Sequence, residues 1–148
     1  MKIVVQRVQR TVLKVDGKTV SEIPFGLTVF LGVKSGDSEA NADYLMKKVA
    51  GLRIFEDENG KMNRSVQDVG GEVLLVSQFT LYGDAKKGFR PSFSQAEEPV
   101  RANQLYEYAA QKLVEHGVVV KLGVFGADMK IEQYNDGPVT IIIDTDDK

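Results

Sequence analysis

The sequence predicts an α+β domain over residues 1–148, mostly antiparallel sheet with about eight strands and two main helices. Three observations lead there. Runs of β-branched and aromatic residues recur along the chain, separated by turn signals. Only two segments carry the apolar spacing of a helical face. Those two follow several strands rather than alternating with each one, which favours α+β over a doubly wound sheet.

Lys2–Val8 and Thr11–Val15 read as the first strands. Asp16-Gly17 then predicts a tight hairpin into Lys18–Ile23, because both residues tolerate the positive φ of a type I′ turn. Leu27–Val33 is apolar enough for a buried strand. Asp37 or Ser38 is the N-cap of a first helix, whose Ala42, Leu45, Met46 and Val49 fall on one face. Arg53–Phe55 is strand-like and precedes a turn at Asp57–Gly60. Gly70-Gly71 leads into the strand Glu72–Phe79. A polar loop, Tyr82–Pro99, separates it from a second helix with Ala102, Leu105, Ala109 and Leu113 on one face, stopping near His116-Gly117. Val118–Phe125, Met129–Tyr134 and Val139–Ile143 supply the last strands.

Composition narrows the function. No stretch approaches the 18 or so apolar residues of a membrane span, and the opening MKIVVQRVQR lacks a secretory pattern. Cysteine is absent, so disulfides, thiolate catalysis and thiolate zinc sites are excluded. A cytoplasmic protein is expected. The net charge is −2, whereas a protein that grips long nucleic acid is basic over a whole face. Any RNA contact is therefore expected to be local and brief.

The available chemistry is sparse. The one imidazole, His116, falls at a helix end, so neither a Ser-His-Asp arrangement nor a histidine zinc site is supported. Ser77 and Thr80 carry hydroxyls, but a continuous strand points them to opposite faces, and no Lys, His, Asp or Glu stands nearby before Asp84. A strand end without a base still offers backbone N–H groups, the material of an oxyanion hole. Lys86, Lys87 and Arg90, interleaved with Phe89 and Phe93, form either a solvated loop or a contact for phosphates and bases. Gly137-Pro138, read alone, is turn punctuation before the final strand.

Four segments change that picture together. SQFTL (Ser77–Leu81), RPSF (Arg90–Phe93), FGADM (Phe125–Met129) and NDGPVT (Asn135–Thr140) stand in the order and spacing of the D-aminoacyl-tRNA deacylase family, and QRV near the start and GKMN (Gly60–Asn63) match as well. The chain resembles this family over essentially its full length. The resemblance implies a closed or barrel-like fold, a homodimer with active sites at the subunit interface, and hydrolysis of the ester between a D-amino acid, or misattached glycine, and the 3′ end of tRNA. It implies neither a cofactor nor a metal, and no membrane.

It also implies roles. A cis Gly137-Pro138 of one subunit would enter the pocket of the other and exclude an L side chain. Backbone N–H groups around Gln78 and Phe79 would hold the ester oxygen, with Ser77 and Thr80 beside them. Phe125 and Met129 would line the substrate pocket, and Lys86, Lys87 and Arg90 would meet the acceptor end. The absent base counts against Thr80 as nucleophile and favours the substrate's own ribose 2′-hydroxyl as activator. The chain departs from the family pattern at Leu122 and Gln133. Two other readings stay open: a binding module that holds the tRNA 3′ end or a small D-amino acid without turnover, and an esterase for small molecules.

Overall fold

The structure, a computed structural model, describes residues 1–148. In chain order it runs β1 (Lys2–Val15), β2 (Lys18–Ile23), β3 (Gly26–Gly32), α1 (Glu39–Gly51), β4 (Phe55–Glu56), β5 (Met62–Arg64), β6 (Glu72–Ser77), α2 (Pro99–Glu115), β7 (Val119–Leu122) and β8 (Lys130–Asp144). Strand and helix numbers match expectation, but boundaries move. Lys2–Val8 and Thr11–Val15 are one strand, because β8 pairs along it from Lys2 to Lys14 and keeps the exposed Gln9-Arg10 step extended. Met129–Tyr134 and Val139–Ile143 likewise fall within one strand, β8. Glu72–Phe79 stops at Ser77, after which Phe79–Tyr82 coils into a 3-10 turn. Arg53–Phe55 yields only Phe55 to a two-stranded sheet with β5, and Val118–Phe125 narrows to the four residues that pair with β6.

The main sheet has the order β2-β1-β3-β6-β7, with β8 on the other edge of β1. β1 is antiparallel to β2, β3 and β8, whereas β3–β6 and β6–β7 are parallel. The two helices are thus the crossovers that parallel pairing requires. β2 curls back toward β7, and Ser21 Oγ donates to the Leu122 carbonyl at 2.5 Å, bringing the sheet close to a closed barrel.

Local chemistry explains the ends. Asp16 and Gly17 both adopt positive φ, as the hairpin requires. Ser38, not Asp37, caps α1, with its N–H donating to Asn41 Oδ1 at 2.9 Å; the Asp37 carboxylate is held instead by the Met1 amino group and the Lys34 N–H. α2 begins with Pro99 after Glu98, whose carboxylate accepts from the N–H groups of Val100 and Arg101. β6 reads as a continuous apolar run because both its faces are covered: Val73 and Leu75 meet the helices, and Leu74 and Val76 fill a second cluster with Val8, Leu13 and Ile23. No helix is long and apolar enough to cross a membrane.

Gly26 opens β3 at φ 153°, and a Cβ there would stand 1.9 Å from the Glu72 carbonyl oxygen, inside the β3–β6 ladder. Gly36, at φ 89°, has open space around it. Gly26→Ala is therefore expected to cost about 3 kcal/mol or more, strain and clash combined. Gly36→Ala should cost only about 1–2 kcal/mol from its backbone conformation. Urea unfolding of both variants measures the difference.

Candidate active site

Where β6 ends, the chain opens a cleft of about 560 Å³. Its floor is the strand end, Val76 and Ser77, followed by Gln78 and Phe79. Phe93 and the first turn of α2 form one wall, and Phe125 to Met129 the other. The lining is mainly apolar, which suits an aminoacyl group or a base more than a bare phosphate. Phe93 packs edge-on against Phe79 with centroids 5.2 Å apart. Phe125 leans on Tyr106, whose hydroxyl donates to the Leu75 carbonyl at 2.6 Å and whose burial pushes its pKa up to about 12. That tyrosine is a structural anchor for the wall and stays protonated.

The strand break at Gln78 decides what the SQFTL segment offers. The Gln78 N–H donates to the Leu31 carbonyl at 2.8 Å, so it completes the sheet rather than facing the cleft. Phe79 and Thr80 open the 3-10 turn, and the opening N–H groups of such a turn have no partner within it. Ser77, Gln78 and Phe79 line the cleft, whereas the exposed Thr80 does not. The Thr80 hydroxyl accepts from the Gln78 side-chain amide, and no imidazole, amine or carboxylate bonds to the hydroxyl of Ser77 or Thr80. His116 is the C-cap of α2, its carbonyl accepting from Gln67 Nε2. Two carboxylates that the sequence did not single out, Glu97 and Asp128, stand in the lining.

Lys86, Lys87 and Arg90 sit on an exposed loop pinned by reciprocal Asp84–Ser92 backbone bonds, outside the cleft lining. Of the interleaved aromatics, Phe93 reaches the cleft and Phe89 is fully exposed. Leu122 and Gln133 also lie off the lining. Gln133 donates to Gln6 Oε1 at 2.7 Å on the β1–β8 surface.

Gly137-Pro138, whose peptide bond is cis, is exposed and does not line the cleft of its own chain. Its position follows from register. Gln6 pairs with Thr140 and Val8 with Asn135, so two steps along β1 face five along β8, and the surplus of three bulges outward. Opposite the bulge stands Arg7, a buried guanidinium that sequence reasoning missed although QRV contains it. Arg7 Nη1 donates to the Ile54 carbonyl at 2.7 Å and Nε to the Asp136 carbonyl at 3.2 Å, and Asp136 Oδ2 is 3.3 Å from Nε. Its only sequence signal was an arginine amid strand residues, which is equally common on solvated faces.

Comparison with known proteins gives a consistent result. The family described as D-Tyr-tRNA(Tyr) deacylase matches residues 4–144. A D-aminoacyl-tRNA deacylase of Persephonella marina is 58% identical over 142 residues, covering 96% of each chain. One from Syntrophomonas wolfei is 55% identical over 146 residues, covering 99% of this chain and 98% of its own. Among solved structures, one described as a c-Myc DNA unwinding element binding protein superposes with TM-score 0.92 at 39% identity, covering 98% of this chain and 99% of its own. Another, described as a "probable eukaryotic D-amino acid tRNA deacylase", superposes with TM-score 0.82 at 17% identity, covering 96% and 97%, and shares the fold.

Arg7 generates a stability test. Arg7→Met keeps the stem but leaves the Ile54 carbonyl buried without a donor, at an expected cost of about 1–3 kcal/mol. Arg7→Lys should recover less than half, because an ammonium cannot span two acceptors as the planar fork does. Denaturant midpoints of the three proteins check both statements.

Proposed function

The chain belongs to the D-Tyr-tRNA(Tyr) deacylase family, and we propose that it hydrolyses the ester of D-aminoacyl-tRNA, and of misattached glycyl-tRNA, as chiral proofreading of translation in the cytoplasm. The family match over residues 4–144 carries this reading, and the cleft chemistry agrees with it. The cleft holds no imidazole, no cysteine and no hydroxyl paired with a base, and its two carboxylates are engaged elsewhere, Glu97 by the Gly36 and Glu98 N–H groups and Asp128 by Lys130, so an activator is drawn from outside the protein. The ribose 2′-hydroxyl of the terminal adenosine supplies one, adjacent to the ester it helps cleave. The N–H of Phe79 receives the developing oxyanion at the end of β6, Gln78 holds that turn to the sheet, and Phe125 and Met129 pack the aminoacyl or adenosine group. Thr80 is not part of the cleft lining and its hydroxyl has no base bonded to it, so it is not assigned the role of nucleophile. Lys86, Lys87 and Arg90 contact the acceptor end.

Selectivity is assigned to Gly137-Pro138 of a partner subunit in a homodimer. The exposure of the bulge, its absence from the lining of its own cleft and its buried arginine support suit an element that reaches into another protein copy. Backbone carbonyls fixed in a braced bulge do not swing aside, so an L side chain is refused sterically while glycine, with none, is accepted.

A second reading, a binding module without turnover, is favoured by the thin supply of catalytic side chains and by the nucleic-acid binding named for one solved relative. It predicts stoichiometric retention of aminoacyl-tRNA with no amino acid released.

Incubation with matched D- and L-tyrosyl-tRNA tests the main reading: the D-ester should be cleaved and the L-ester spared, and equal cleavage of both or of neither overturns it. A substrate ending in 2′-deoxyadenosine should react about 10²–10⁴-fold more slowly, the usual weight of a positioned acid–base group. Gly137→Ala places a Cβ 2.8 Å from Val139 Cγ2 at φ 128° and so displaces the bulge. The D-to-L ratio of kcat/KM should fall at least about tenfold. Full activity from a sedimenting monomer would contradict the cross-subunit role.

A further inference from the structure

Eight lysines and arginines form ion pairs; three that form none share one groove. Lys47, Lys48 and Arg53 gather at the C-terminal end of α1, line a groove of about 440 Å³ with Tyr44, Gly51 and Leu52, and have no carboxylate within salt-bridge distance. Lys48 Nζ lies 5.6 Å from the Tyr44 ring centroid, and Lys148 Nζ lies 4.9 Å from the same ring. Two ammonium groups thus share one ring, and neither forms a salt bridge. A lysine in the last helical turn complements the helix dipole, which accounts for Lys48. It does not account for Arg53, which lies beyond the helix and donates to the neutral Asn63 side chain at 3.2 Å.

The groove's place in the fold gives the charge a use. α1 and α2 run in the same direction, with Gly36 beside Glu97 and Asp43 bonded to Tyr108 further along. The chain's own cleft takes Pro99 and Ala102 from the start of α2, so the groove at the end of α1 is at the opposite end of the helical layer. Next to Arg53, however, the Ile54 carbonyl accepts from Arg7, and the same guanidinium holds Asp136 and lies 3.3 Å from the point where a Gly137 side chain would begin. A single side chain therefore connects the edge of the groove to the Gly137-Pro138 bulge.

Resting on the cross-subunit placement of that bulge, we propose that the groove of Tyr44, Lys47, Lys48 and Arg53 binds the sugar-phosphate backbone of the tRNA whose 3′ end occupies the partner subunit's cleft. The bulge and the groove then serve one substrate molecule: the bulge inspects the aminoacyl group, and the groove holds phosphates further from the 3′ end. A protein of net charge −2 can meet RNA only through such local patches, and this one is separate from the Lys86–Arg90 loop. It also supplies a preference for tRNA over a free amino acid ester that the apolar cleft alone does not.

The test combines Lys47→Ala, Lys48→Ala and Arg53→Ala, all exposed positions. Binding of uncharged tRNA is titrated between about 50 and about 200 mM salt; each lost phosphate contact lowers the log K against log[salt] slope by about 0.7–0.9, so the triple variant should lose about 2–3. The ratio of kcat/KM on D-tyrosyl-tRNA to that on the D-tyrosyl ester of adenosine alone should fall about tenfold or more. A slope and a ratio equal to those of the unsubstituted protein overturn the proposal, including the case in which the groove serves an acidic protein instead. If the unsubstituted protein cleaves neither ester, the deacylase reading fails while the salt slope still reports on the groove.

Discussion

The architecture depends on how β1 is shared. Its first half pairs with β3 and its second with β2 along one edge, while β8 runs along the whole of the other. With both edges committed, any extra residue in β8 has to leave the ladder. The surplus falls opposite Arg7, and that is where Gly137-Pro138 protrudes. A buried guanidinium costs several kcal/mol to desolvate unless its donors are satisfied. Here the Ile54 and Asp136 carbonyls and the Asp136 carboxylate supply acceptors, so the bulge is braced from beneath rather than left as a free loop.

The cleft has a parallel origin. β6 is covered on both faces and can extend only while β3 accompanies it. When β3 ends at Gly32, β6 ends at Ser77, the Gln78 N–H takes the last available carbonyl, and the chain turns. The turn leaves N–H groups at the mouth of an apolar hollow. The hollow therefore combines main-chain donors with a mainly apolar side-chain lining.

Much of the fold was legible in the residues. The apolar spacing of Ala42, Leu45, Met46 and Val49 placed α1 because packing and periodicity coincide there, and all four are buried. The Asp16-Gly17 hairpin was legible because few residues accept positive φ. What was not legible were features created by pairing between distant segments. Gln9-Arg10 read as a break because it is polar, yet β8 keeps it in the ladder. Ser77 and Thr80 read as opposite faces of one strand, yet the loss of β3 as a neighbour ends the strand between them. Leu122 and Gln133, the departures from the family pattern, proved to lie away from the cleft.

The sequence by itself determined the class of fold, the two helices, the absence of a side-chain nucleophile with a base, and the segments that mark the family. Those are properties of composition, local periodicity and short motifs, which neighbouring residues settle among themselves. Tertiary structure alone decided that Arg7 supports Gly137-Pro138, that Gln78 serves the sheet while Phe79 faces the cleft, and that Lys47, Lys48 and Arg53 converge beside Tyr44. Each of those depends on the register between strands or the path of a crossover, where a shift of one residue reverses which side chain meets which. No stretch of sequence encodes such a relation alone.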